Sequence, residues 1–216
     1  MDTIVNKKKI YKEWKNQTYL DEFLSLRCAG DIINVLNPIK NFQKEVSEAM
    51  AVIKQLKKIV FSKNTKYALW DFCSGNALVP AIAAFLLPID HSYAIDKKER
   101  KRPWDNIRKF AYVNTIDVSF LIPLKPSIIL TAVHACGDNA KVIIDTFNRS
   151  KSKHLILMPC CSGHMLNRVP QLISDKLDPY EKWCYYLYGL IDTPKKNIFV
   201  DNKILSPKNI IIVANK

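Results

Sequence analysis

The chain has 216 residues, 48% of them apolar, and a formal net charge of +13. That length suits one domain with an extension, or two small ones, with enough apolar mass for a sizeable core. No apolar run reaches the roughly 18 residues of a membrane-spanning helix, which excludes an integral helical membrane protein.

Residues 1–60 are predicted to be helical. Tyr11, Trp14, Tyr19, Leu20, Phe23 and Leu24 recur at helical intervals, and Val46, Met50, Ile53, Leu56 and Val60 form a second apolar stripe. Asn37-Pro38 separates the two stretches. Lys7, Lys8, Lys9, Lys12 and Lys15 cluster beside Trp14; they suit either a solvated helix face or an arm touching RNA.

From residue 66 the pattern alternates between strand and helix. Strands are predicted over 67–72, 91–95, 111–115, 127–133, 154–158, 197–201 and 209–214, and helices over 77–87, 104–110, 138–149 and part of 166–190. Alternation of this kind implies βαβ units and a mainly parallel sheet. The runs at 127–133 and 154–158 are almost wholly apolar, as in strands covered on both faces. The last two strands have no helix between them and are predicted to form an antiparallel pair through Leu205-Ser206-Pro207-Lys208. The expected fold is α/β: a doubly wound, mainly parallel seven-stranded sheet with an antiparallel C-terminal strand. Residues 1–62 would form an N-terminal helical extension and 63–216 the nucleotide-binding domain.

Ligands of such sheets sit beyond the carboxyl ends of the strands. Polar residues gather at these ends. After the first strand comes Asp71-Phe72-Cys73-Ser74-Gly75-Asn76-Ala77, a tight turn of small residues leading into a helix. Such a turn lets a ligand approach the backbone, and the helix start offers free N–H groups. After the second come Asp96 and Lys97, where an acid would hold a nucleotide ribose. Asp117-Val118 follows the third strand, His134-Ala135-Cys136-Gly137-Asp138 the fourth, and Pro159-Cys160-Cys161-Ser162-Gly163-His164 the fifth.

Taken together these strand ends resemble a class I S-adenosylmethionine-dependent methyltransferase over roughly residues 65–216. Asp71-x-Cys73-x-Gly75-x-Ala77 is similar to that family's first motif, an acid followed by alternating glycines, with Cys73 and Ala77 standing for two of the glycines. The resemblance implies S-adenosylmethionine as cofactor. It implies that Cys73, Ser74, Gly75 and Asn76 line the methionine end, that Asp96 with Lys97 holds the ribose, and that Asp117 with Val118 flanks the adenine. A narrower resemblance lies in Val133-His134-Ala135-Cys136-Gly137-Asp138 with Met158-Pro159-Cys160-Cys161. This pairing is similar to a methyltransferase subgroup that includes tRNA 2′-O-methyltransferases, although no zinc-finger-like Cys/His segment precedes it here.

Single residues admit two readings each. Asp71 would bridge to the methionine amino group, directly or through water, or else cap a helix. Asp96 could instead be a surface acid paired with Lys97 or Lys98, and Asp117 a helix cap. His134 stands where the reacting-group loop begins; it would accept a proton, orient the acceptor or bond the cofactor, or else merely fix a strand end. Cys160 would line the substrate site, act as a nucleophile, or pack in the core.

Lys97-Lys98-Glu99-Arg100-Lys101-Arg102, followed by Trp104 and Arg108, is the densest basic run. Cations beside an aromatic suit a nucleic acid, whose backbone meets charge and whose bases stack. Lys98, Arg100, Lys101 and Arg102 are therefore expected to contact substrate, or else to form a solvated helix start. The positive charge, spread along the chain, makes RNA the expected partner; solubility alone is the other reading.

The first residues, Met1 to Lys9, lack the apolar stretch of a signal peptide. A cytoplasmic location and six reduced cysteines are the expectation. Cysteines 28, 73, 136, 160, 161 and 184 contain no C-x-x-C pair, so no structural metal is expected. Cys136, Cys160, Cys161 and His164 could meet around a metal, but without a recognised spacing. The function expected is methyl transfer to RNA (tRNA or rRNA). Alternatives are a small-molecule or protein methyltransferase, and a non-catalytic RNA-binding protein keeping the fold. No lysine–acid constellation for 2′-O chemistry is evident, so the acceptor atom stays open.

Overall fold

The computed structural model describes residues 17–62, 65–115, 127–162 and 177–216. The predicted basic cluster at Lys7 to Lys15 and the residues Tyr11, Trp14, Asp117, Val118, Gly163 and His164 lie outside them.

Three helices come first: α1 (Tyr19–Leu24), α2 (Ala29–Leu36) and α3 (Phe42–Val60). Thr18 caps α1 in a reciprocal pair with Asp21, which satisfies backbone donors that a helix start otherwise leaves open. The chain leaves α2 at Asn37, the residue before Pro38, where a helical conformation is disfavoured. Along α3 the stripe Val46, Met50, Ile53, Leu56 and Val60 is buried throughout.

The sheet then alternates with helices: β1 (Ala68–Phe72), α4 (Leu78–Leu86), β2 (His91–Asp96), β3 (Phe110–Asn114), β4 (Ile128–Ala135), α5 (Asp138–Arg149) and β5 (His154–Pro159). The chain ends with α6 (Pro179–Leu190), β6 (Lys195–Val200) and β7 (Ile210–Asn215). All seven predicted strands are present, each within two residues of its expected bounds. The strand order is β3-β2-β1-β4-β5-β7-β6. β1 to β5 run parallel, and β7 is antiparallel to both β5 and β6. From β1 the chain steps outward to β2 and β3, then crosses back to β4 on the other side of β1. That reversal opens a crevice beyond the ends of β1 and β4.

One expectation is corrected here. Residues 104–110 are not a helix. They hold a single 3-10 turn, Trp104–Asn106, and β3 begins at Phe110. Trp104 explains the difference. Its ring stacks on Tyr112 at 5.0 Å and meets Phe110 at 5.1 Å. Packing against two strand side chains outweighs the weak helical pattern of so short a segment.

The side-chain period of two divides the core. Leu69, Ile129, Ile156 and Ile211 face a layer that contains α1 to α4. Leu130, Leu155, Leu157 and Ile212 face the layer of α5 and α6. The N-terminal helices therefore share one hydrophobic cluster with the sheet. Polar ties reinforce this: Tyr19 donates to Asp201 at 2.5 Å, and the Leu205 amide donates to Ser47 Oγ at 2.9 Å.

Ile53 is 1% exposed, and Ile53→Ala is expected to cost about 2–5 kcal/mol. In urea the variant should still unfold in a single transition, because the helices and the sheet share a core. Two separated transitions in the parent protein would instead show that residues 1–62 fold as their own domain.

Candidate cofactor cavity and its surroundings

Asp71, the penultimate residue of β1, is buried at 2% exposure. Its two oxygens accept from Ser74 Oγ at 2.5 Å and Thr131 Oγ1 at 2.6 Å. Burial pushes its carboxyl up to about 7, against the opposing pull of those two hydroxyls; the nearby Asp96 adds to the rise. Asp71 lines neither of the cavities described below. It does not cap α4 either, since the cap position is Ala77. Its place is under the loop, holding Ser74 and tying β1 to β4.

The loop above it has a left-handed backbone at alternate residues. Cys73 has φ 55°, Gly75 φ 53° and Ala77 φ 60°. These are the three positions of the alternating-glycine pattern. Gly75 takes this conformation freely, while Cys73 and Ala77 bear a cost of roughly 1–2 kcal/mol each. The Gly75 amide donates to Asp96 Oδ2 at 2.8 Å, and the Lys98 amide to Asp96 Oδ1 at 2.8 Å. Asp96 thus joins the loops after β1 and β2 and keeps further lone pairs on both oxygens.

Two adjacent cavities open beyond these strand ends. The larger, about 460 Å³, is lined by Cys73, Asp96, Lys97, Thr115, His134 and α5 residues among others. The smaller, about 250 Å³, is lined by Ser74, Gly75, Asn76, Arg100 and His134, with Lys44, Glu45 and Glu48 from α3. Cys73 and His134 belong to both. Burial chiefly, with the charges of Asp96 and Asp71 after it, pushes the Cys73 thiol up to about 12, so it lines the cavities as a neutral group.

His134 sits on a β-bulge. The β4–β5 register shifts between Val133 and Ala135, and His134 has φ 60°. A bulge near the end of a strand re-aims a side chain. Here it sets His134 Nε2 2.8 Å from Glu48 Oε1, while Lys44 Nζ lies 3.1 Å from the same oxygen. The approach of His134 is oblique rather than along an ideal hydrogen-bond line. Burial raises the Glu48 carboxyl, but His134 and Lys44 together outweigh it and hold the group below its ordinary value. An ionised Glu48 favours a proton on Nε2. Among the described residues Nδ1 is buried with no partner.

The sequence signals Asp96, Lys97, Gly75, Ser74, Cys73, Asn76 and His134 do converge on this crevice. Asn76 has its side chain committed, however: Nδ2 donates to both Glu45 oxygens at 2.9 and 3.0 Å, and Oδ1 accepts from Arg102 at 2.9 Å. Arg102 is therefore a staple between loops rather than part of an open basic surface. Arg100 also turns inward, into the wall of the smaller cavity, where its Nε is buried without a partner among the described residues. Lys97, Lys98 and Lys101 remain exposed. Trp104 is not free to stack on a base, since both Phe110 and Tyr112 pack against it. Cys160 is half-buried beside the crevice, its Sγ 3.5 Å from the His134 carbonyl.

Lys44, Glu45 and Glu48 escaped sequence reasoning. The one signal was a carboxylate inside Val46–Ile53, a stretch apolar on nearly every side, where an acid is either paired or functional.

A family model described as a methyltransferase domain matches residues 42–168, more than half of the chain. No curated protein sequence matches it. Among solved structures, the methyltransferase domain of bacterial CtHen1 is similar with a TM-score of 0.50 at 11% identity, over 82% of this chain and all (100%) of that one. A precorrin-6y C5,15-methyltransferase from Geobacter metallireducens has a TM-score of 0.44 at 17% identity, over 76% and 88%. M. capricolum TrmK, solved with S-adenosylhomocysteine, has a TM-score of 0.41 at 13% identity, over 75% and 67%. No helix among the described residues is long and apolar enough to cross a membrane.

The raised Asp71 carboxyl makes a pH prediction. Stability from a raised group is fully present below its unfolded value, about 3.9, and is lost as pH rises through about 7. Asp71→Asn removes this dependence. Between about pH 5 and pH 8 the parent should lose about 3 kcal/mol relative to the variant in urea unfolding. Parallel pH profiles would show that Asp71 is not the buried proton-binding group.

Proposed function

The chain belongs to the methyltransferase domain family, and on that premise we propose that it transfers the methyl group of S-adenosylmethionine to RNA. The observation that carries the reading is the crevice itself: a glycine-pattern loop with left-handed backbone, an acid at the end of β2, and a histidine on a bulge at the end of β4, all around one opening. Its larger cavity, about 460 Å³, falls within the size range of small-molecule sites.

The residues present fit the cofactor. Asp96, with lone pairs to spare, accepts the ribose hydroxyls in the larger cavity, and Lys97 stands beside it. The smaller cavity takes the amino-acid end. Lys44 and Arg100, whose Nε lacks a partner among the described residues, face a carboxylate there, and Gly75 leaves room, since among the described residues a Cβ would meet only the Cys73 carbonyl at 4.0 Å. Asp117 and Val118 keep the adenine role as a proposal. When bound, the cofactor supplies an electrophilic sulfonium methyl group.

Methyl transfer is a direct displacement, so the chain's task is alignment of acceptor and methyl. His134 stands between the two cavities. With Glu48 favouring a proton on Nε2, Nδ1 is the ring atom able to accept a proton or a hydrogen bond from the acceptor group. This arrangement of carboxylate, imidazole and reacting group follows the orienting logic of an acid–histidine pair.

RNA as substrate rests on charge. The chain carries +13, and Lys97, Lys98 and Lys101 are exposed; Lys97 lines the larger cavity, and the Lys98 amide bonds Asp96. The narrower resemblance to tRNA 2′-O-methyltransferases supports the same reading through the two strand ends that carry it. Those ends are in contact: the Gly137 amide donates to the Cys161 carbonyl at 2.9 Å.

Asp96→Ala is expected to weaken cofactor binding at least about tenfold, or 1.4 kcal/mol, in calorimetry; unchanged affinity would refute the ribose role. Lys98→Ala with Lys101→Ala should leave cofactor affinity alone, weaken RNA binding, and reduce the slope of log affinity against log salt by about 1–2. Incubation of bulk tRNA and rRNA with tritiated cofactor tests the substrate. Label in RNA supports it; label only in a small-molecule or protein pool would sink it.

A further inference from the structure

The ends of β4 and β5 bring together three thiols, Cys136 from one strand end and the neighbouring pair Cys160 and Cys161 from the other. The sulfur atoms of Cys136, Cys160 and Cys161 all lie within 4.8 Å of one another. Cys160 and Cys161 Sγ are 3.7 Å apart. Two sulfurs on a tetrahedral zinc ion, with bonds of about 2.3 Å, stand about 3.8 Å apart. The geometry points to a thiolate site for a soft d10 cation of the zinc type, with Cys136, Cys160 and Cys161 as its three protein ligands.

Several features make this more than a chance meeting. The thiols of Cys136 and Cys160 both point to one acceptor, the His134 carbonyl, at 3.2 and 3.5 Å. The two loops that carry the cysteines are pinned by the Gly137-to-Cys161 backbone bond. Gly137 has φ 52° and ψ −126°, a combination essentially restricted to glycine, so the crossing of the loops is conformationally specified. Cys136 and Cys161 are exposed, which leaves an entry path. Soft thiolates select zinc or copper(I) over the hard magnesium and calcium ions.

Three ligands among the described residues leave a fourth position on a tetrahedral ion, the pattern of zinc sites that act on an external ligand. Cys136 is also part of the wall of the larger cavity. A water or an acceptor oxygen or nitrogen would complete the coordination at that rim. Binding converts the thiols to thiolates, and their protons pass to the buffer. Metal binding at this site does not require the proposed methyl transfer: it stands on the sulfur geometry and the pinned loops and is read by metal binding.

The test titrates cobalt(II), then zinc(II), into the full chain purified under reducing conditions. Expected are saturation at about one equivalent per chain, release of protons, and a sulfur-to-cobalt charge-transfer band that zinc abolishes. Cys136→Ser and Cys161→Ser, both at exposed positions, should each weaken zinc at least about 100-fold while circular dichroism shows the fold intact; Cys28→Ser should not change it. Absence of the band at excess cobalt, its survival in either serine variant, or a disulfide among these cysteines that persists in reductant would each overturn the site.

Discussion

A carboxylate shut away from water sets the geometry of the crevice. Asp71 accepts from Ser74 and Thr131 and has no solvent to turn to. An unpaired polar group at that depth would cost several kcal/mol, so the loop above must present its hydroxyl inward. With Ser74 held down, the backbone is forced through alternating left-handed turns at Cys73, Gly75 and Ala77. Those turns aim the Gly75 amide at Asp96, and through Asp96 the loop after β2 is fixed as well. One buried acid therefore orders the second, half-buried one.

The opposite wall obeys a different constraint. His134 owes its direction to a bulge, and the bulge is supported from outside the sheet by Glu48 on α3. Glu48 is itself tolerated in the core because Lys44 and His134 share its charge. The first helices are in this sense part of the site and not merely attached to it. Asn76 carries the same message, bridging Glu45 of α3 and Arg102 of the basic run. A side chain so committed stabilises the loop and has no donors left for a ligand.

Charge in the basic run divides by direction. Arg100 and Arg102 turn toward the loop and the helices, while Lys97, Lys98 and Lys101 stay in water. Tyr112 and Trp104 impose that division by hydrogen-bonding the carbonyls of Lys98 and Arg100. What reads as a uniform cationic string is, once folded, an inner pair of arginines and an outer group of lysines. The positive charge of the run that faces water resides in the outer group.

The sequence by itself determined the sheet and the strand ends at which the crevice opens. Strands covered on both faces are continuous apolar runs, which local pattern reveals, and strand ends in an open sheet are where ligands bind. Asp96, Gly75 and His134 could be placed at the crevice for that reason. Tertiary structure alone decided the roles that depend on neighbours distant along the chain. Asp71 became a buried support because Thr131 lies beside it on β4, and Glu48 entered the site because α3 packs over the crevice. Segment 104–110 became a turn and a strand through aromatic packing. Cys136 meets Cys160 and Cys161 only because β4 and β5 are parallel neighbours. Periodicity reports which residues are buried, but not which of them meet; that follows from strand order, and strand order is a property of the whole fold.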